Sequence, residues 1–115
     1  MKYSSSFTYD LHLGEQAETW AKELFGSCKV EVKNDSMAHK TGNMFIEVYS
    51  RNKPSGISTT EADYWLYKIN DSAIIISTPK LKELVRKFYR ENGFTKGGDS
   101  DTSLGVLVPL IYLLT

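Results

Sequence analysis

From Leu13 the apolar residues fall at Leu13, Ala17, Trp20, Ala21 and Leu24, the spacing that lays one stripe along a helix. Gly26 is a fitting end for it. In residues 28–35, CKVEVKND, Val30 and Val32 alternate with Glu31 and Lys33, the period of two expected of a strand with one buried face. Residues 36–42 read as a polar loop. Residues 43–51, NMFIEVYSR, are rich in β-branched and aromatic side chains. Their alternation puts Met44, Ile46 and Val48 on one face and Phe45, Glu47 and Tyr49 on the other.

Residues 52–56, NKPSG, carry turn chemistry, and residues 57–61 read as loop before a third strand over 62–69. Asn70 and Asp71 make a tight turn into a short fourth strand, 72–77. Thr78 as N-cap and Pro79 at the first helical position then open a second helix. Leu81, Leu84, Val85, Phe88 and Tyr89 form its apolar stripe, and Lys80, Lys82, Arg86, Lys87 and Arg90 fall mostly on the other faces. Such a basic face is usually only solvated, but a phosphate backbone can also lie on it. Residues 94–103 read as a Gly/Asp/Ser loop, and 104–114 as a last strand. Pro109 cannot donate to a ladder, so that strand is expected at an edge or interrupted there.

The order helix, three or four strands, helix, strand predicts an α/β fold, a mixed central sheet flanked by two helices. A length of 115 residues, 41% of them hydrophobic, suits one domain. Fourteen basic against fourteen acidic residues exclude a strongly basic nucleic-acid coat and leave local charge to decide any partner. Cys28 is the sole cysteine, so no internal disulfide is possible. It reads as a small buried apolar residue in a reducing compartment. MKYSSSFTYD lacks the apolar run of a secretory signal, and Val106 to Leu114 is too short to span a bilayer, so no membrane association is expected.

Strand phase points Glu31, Lys33 and Asp35 the same way, and Glu47 with Tyr49. If these strands are neighbours, Asp35 and Glu47 converge. Carboxylates brought together repel unless they share a proton or a cation, and Mg²⁺ is commonly bound by one or two carboxylates with water and substrate phosphate. Glu18 on the first helix is a candidate third ligand. Plain solvent-facing charges account for the three residues equally well.

A helix with Glu18, a strand ending in Asp35, and Glu47 on the next strand twelve residues on resemble the PD-(D/E)XK nuclease superfamily. LGEQAE, VEVKND, TGNMFIE and KPSGISTTEADYW, with GGD and GVLVP near the end, are similar to its small phage-type and junction-resolvase-like members. The resemblance covers most of the chain. It implies a single restriction-endonuclease-like domain over residues 1–115, with Glu18, Asp35 and Glu47 as ligands of Mg²⁺ or Mn²⁺. It further implies a metal-dependent endonuclease acting on branched or single-stranded DNA, cytoplasmic and of the kind phages deploy in their host, and forming a homodimer where two strands are cut.

One departure stands out. The lysine two residues after the motif glutamate is replaced by Tyr49. Lys33 is the first substitute, to stabilise charge developing on the phosphate, and Lys53 the second. Glu31 and Lys33 also spell Glu-x-Lys, a reading that takes its aspartate near Asp10. A chain that has lost catalysis and binds nucleic acid or a protein partner is the alternative.

Arg51, Lys53 and Ser55, with Ser58, Thr59 and Thr60, form a polar loop able to contact phosphates, although turn chemistry explains it too. Asp63 reads as a residue capping local amides. Asp99 and Asp101 lack the rest of a calcium-loop signature, and neither His12 nor His39 has a second histidine at zinc spacing. Trp65 and its neighbours Tyr64 and Tyr67 offer a stacking platform or, more simply, packing.

Overall fold

The structure is a computed structural model that describes the backbone of residues 2–114 and the side chains of residues 11–98 and 100–114. Asp10 and Asp99, weighed above as site residues, therefore have side chains outside the described residues. The chain runs α1 (Lys2–Gly26), β1 (Val30–Asn34), α2 (Ala38–Thr41), β2 (Asn43–Ser50) and β3 (Lys53–Pro54). A 3-10 turn (Gly56–Ser58) leads to β4 (Tyr64–Ile69), β5 (Ser72–Ser77) and α3 (Thr78–Asn92). The chain ends with β6 (Thr95–Gly97), a second 3-10 turn (Asp99–Asp101), β7 (Ser103–Pro109) and α4 (Leu110–Leu113).

The strands form two sheets rather than the single mixed one expected. One has the order β1-β4-β5, with β1 parallel to β4 and β4 antiparallel to β5. The other, β3-β2-β7-β6, is antiparallel throughout. β1 and β2 are thus not paired, because β2 takes β7 as its partner over most of its length. The segment between them, read as loop, holds the helical turn α2, closed by Gly42 in the left-handed region at φ 76°.

α3 packs on β7 and β5 and so ties the two sheets together. Leu81, Leu84, Val85 and Phe88, the predicted stripe without Tyr89, are buried against Met44 and Ile46 of β2, Val106 and Val108 of β7, and Ile76 of β5. Its cap is Ser77, one residue earlier than expected, whose hydroxyl accepts from the Lys80 amide. Thr78 instead donates its hydroxyl to the Ala62 carbonyl at 2.6 Å.

α1 departs most from expectation. It starts well before Leu13, and residues 11–20 are all exposed, so most of its stripe is uncovered. Among the described residues, its contact with the sheet comes near its end: Leu24 is buried, and Trp20 donates its indole N–H to the Tyr64 hydroxyl at 3.0 Å. The helix stretches the molecule to 62 Å. The remaining differences are local. The 94–103 loop contains β6 and a 3-10 turn, and Pro109 ends β7 and starts α4. β7 is a central strand, and its proline is tolerated because it occupies the last rung, opposite Asn43. Cys28 is half-buried rather than buried.

Candidate functional site

Although they lie in different sheets, β1 and β2 border one cleft of about 610 Å³. Lys33 and Asp35 line it from the β1 side, Phe45 and Glu47 from β2, Trp65 and Tyr67 from β4, and Lys96 from β6. Parallel pairing sets Glu31 beside Trp65 and Lys33 beside Tyr67, so these four share one face of their sheet. The structure therefore gathers Lys33, Asp35 and Glu47. Glu18 is exposed on α1 and lines no part of the cleft.

Asp35 follows β1 and is held by three backbone amides. Its Oδ1 accepts from Met37 and Ala38, each at 3.0 Å, and its Oδ2 from Phe45 at 3.1 Å. The first two bonds satisfy donors at the start of α2, and the third fastens that turn to β2. One carboxylate thus joins the two sheets at the mouth of the cleft.

Glu47 is gripped by two hydroxyls. Ser55 donates to Oε2 at 2.9 Å and Ser103 to Oε1 at 2.7 Å. Gly56, with φ +56°, lets the turn come this close, since a Cβ there would collide with the Glu47 backbone. Ser55, first read as a phosphate contact, is therefore a positioning partner of Glu47. Ser103 was not singled out from the sequence. Its bond spans 56 residues and depends on β2–β7 pairing that no local pattern announces.

Tyr49 does not share the Glu47 face as expected. The register slips between them, because Glu47 pairs with Gly105 and Tyr49 with Leu104, leaving Val48 as an extra residue. Adjacent residues of β7 face opposite ways, so Tyr49 follows Leu104 onto the other side. There it packs edge-on against Phe94, with ring centroids 5.7 Å apart.

Lys33 pairs with Glu31 at 3.3 Å and lies over the Trp65 ring at 5.8 Å, contacts that hold the ammonium at the cleft wall. Burial first, then the charges of Asp35 and Glu31, push the Tyr67 phenol well above its ordinary value, so it stays protonated. The Trp65 indole N–H is buried and has no hydrogen-bond partner among the described residues. Lys33 and the protonated Tyr67, both lining the cleft, are donors suited to an oxyanion.

The other candidates lie elsewhere. Arg51 and Asn52, at φ 51° and 65°, form the two-residue turn between β2 and β3, and Arg51 and Lys53 are exposed outside the cleft. Asp63 accepts from the Lys29 amide at 2.8 Å and so ties β4 to the start of β1. His12 and His39 are exposed on α1 and α2. Trp65 and Tyr67 are core residues, stacked with centroids 6.1 Å apart. Compared with known protein families, curated proteins and solved structures, the chain has no match.

Asp35 Oδ2 and both oxygens of Glu47 each accept one hydrogen bond and keep a second lone pair. That donor set fits a cation which takes one or two carboxylates and keeps its water. Among the described residues, no group of three or more His, Cys, Asp or Glu side chains is placed to hold a metal ion, so the pair Asp35 and Glu47 would have to suffice. No described helix is long and apolar enough to cross a membrane.

Proposed function

We propose that the chain is a metal-dependent nuclease that hydrolyses DNA phosphodiesters in the cleft between the two sheets. The observation that carries this reading is the presence of Asp35, Glu47 and Lys33 around one cavity, although the first and second strands are not paired. The restriction-endonuclease-like relationship is part of the proposal and rests on the sequence motifs.

Asp35 and Glu47 would hold Mg²⁺ or Mn²⁺, with waters completing the shell in place of Glu18. When bound, that ion supplies Lewis acidity toward the scissile phosphate and lowers the pKa of a coordinated water. The residues of the chain supply the rest. Ser55 and Ser103 fix the Glu47 carboxylate before substrate arrives, and three amides do the same for Asp35, so little reorganisation is left for the reaction. Lys33 offers positive charge to the phosphate oxygens as they become more negative. Tyr67, which stays protonated, borders the same cleft as an O–H donor.

The test is incubation of supercoiled, linear, single-stranded and four-way-junction DNA with the protein in Mg²⁺ or Mn²⁺, beside Glu47→Gln. Cleavage by the wild type, reduced at least a hundredfold by the variant, is expected. Manganese binding, followed by calorimetry, should weaken in parallel. Equal cleavage by both proteins would overturn the proposal.

A second reading is a non-catalytic nucleic-acid binder, favoured by the displacement of Tyr49 from the cleft. It predicts manganese and DNA binding with no cleavage of any of these substrates.

A further inference from the structure

On the opposite side of β2 from Glu47, a shallow groove of about 210 Å³ runs between the 3-10 turn and α3. Val48, Ile57 and Val85 are its apolar lining, and Lys82, Arg86 and Ser58 its polar one. Lys82, Arg86 and Arg90 recur every four residues along α3, so each cation stands about 6 Å further along the axis and only slightly around it. Arg86 and Arg90 are exposed and Lys82 is half-buried. Among the described residues, none of the three is in an ion pair, whereas Lys80 pairs with Glu83 at 3.9 Å and Lys87 sits over the Phe88 and Tyr112 rings. Those two lysines also occupy a different side of the helix.

We propose that this row of cations is a track for the backbone of one DNA strand leaving the cleft. A line of unpaired cations beside the half-buried Val48 matches a single strand, whose phosphates repeat along one edge while its sugars and bases offer apolar faces. The 3-10 turn is the bridge. Gly56 borders the cleft and Ile57 and Ser58 border the groove, so a strand passes from one to the other over a single turn. Electroneutrality of the whole chain conceals this local excess. The inference rests on the nucleic-acid part of the proposed function and is independent of catalysis.

The experiment measures binding of a labelled oligodeoxythymidylate of about 20 nucleotides, longer than common single-strand site sizes, in EDTA over a range of salt concentrations. Replacing Lys82, Arg86 and Arg90 together by Gln is expected to weaken binding at least tenfold. It should also make the slope of log K against log salt shallower by about 2, from three lost phosphate contacts at about 0.7 each. Lys80→Gln with Lys87→Gln should change neither quantity, and thermal melting checks that both proteins are folded. An unchanged slope in the triple variant, an equal loss in the control, or no binding by the wild type overturns the track. Tighter binding of a duplex with the same dependence on the three cations overturns its single-strand character. A wild type that binds through these residues and cuts nothing would sink the nuclease and leave the track standing. A wild type that cuts, with binding indifferent to them, would do the reverse.

Discussion

Ser103 donates its hydroxyl to Glu47 at 2.7 Å, joining two neighbouring strands of the antiparallel sheet. Because Ser103 is buried and is not among the residues lining the cleft, its effect on chemistry must pass through Glu47. Ser103→Ala should lower kcat several-fold while KM for DNA stays unchanged, and Ser103→Thr should restore part of the loss. A double-mutant cycle with Glu47→Gln measures the coupling, expected at about 1.5–3 kcal/mol for a single hydrogen bond to a carboxylate.

Asp35→Ala removes both accepting oxygens and strands three amide donors. The expected loss of stability is about 2–4 kcal/mol, read from urea denaturation, since hydrogen bonds to a charged group are the stronger kind. Asp35→Asn retains an acceptor and should lose about half as much. A loss below about 0.5 kcal/mol in the alanine variant would show that these bonds contribute little.

Replacing Tyr49 by Lys should not raise cleavage, because the bulge at Val48 turns position 49 away from the cleft. Lys33→Ala should reduce kcat by about a hundredfold, the scale of losing one preorganised charge at a developing oxyanion. Strong activation by Tyr49→Lys in the same cleavage assay would mean that the strand regains the regular register.

Gly105 lies under the Phe45 ring. A Cβ there would stand 2.5 Å from the ring Cζ and 2.6 Å from the Ile46 carbonyl, so Gly105→Ala should destabilise by roughly 1–3 kcal/mol through overpacking. Adding Phe45→Leu should recover part of this, a non-additivity visible in the melting temperatures.

Tyr67 has its pKa raised in the folded state, first by burial and then by Asp35 and Glu31. The unfolded phenol titrates near 10 and the folded one above that. Its contribution is therefore fully present below pH 10 and is lost as pH rises past that value, where only the unfolded chain releases the proton readily. Tyr67→Phe should flatten the fall in stability between pH 9.5 and 11.5, measured by denaturation at fixed salt.

Much of this architecture is legible in residue order. The strands around Val30, Ile46, Trp65 and Ile75 and the helix from Thr78 follow from periodicity, and Lys33, Asp35 and Glu47 do meet at one cleft. The reason for the meeting is not legible. Strand phase required β1 and β2 to be neighbours, whereas Asp35 reaches the Phe45 amide through its side chain from a separate sheet. Alternation also carries no sign of an extra residue, so Tyr49 was set on the wrong face. The stripe on α1 indicates a helix correctly but cannot say how much of it meets a partner. Ser103 and Lys96 escaped notice because their place depends on pairing between distant segments.

The carbonyl of Val48, the extra residue of β2, accepts both the Ser55 amide and the Ser58 hydroxyl at 2.9 Å. One atom thus moors both ends of the turn that delivers a hydroxyl to Glu47 and borders the groove along α3. Ile57, between those two anchors, is buried in the core, so the turn is pinned from its outer edge and from beneath at once. In amide exchange the Ser55 proton, held on the Val48 carbonyl, should therefore be slowed like those of the strand it is moored to.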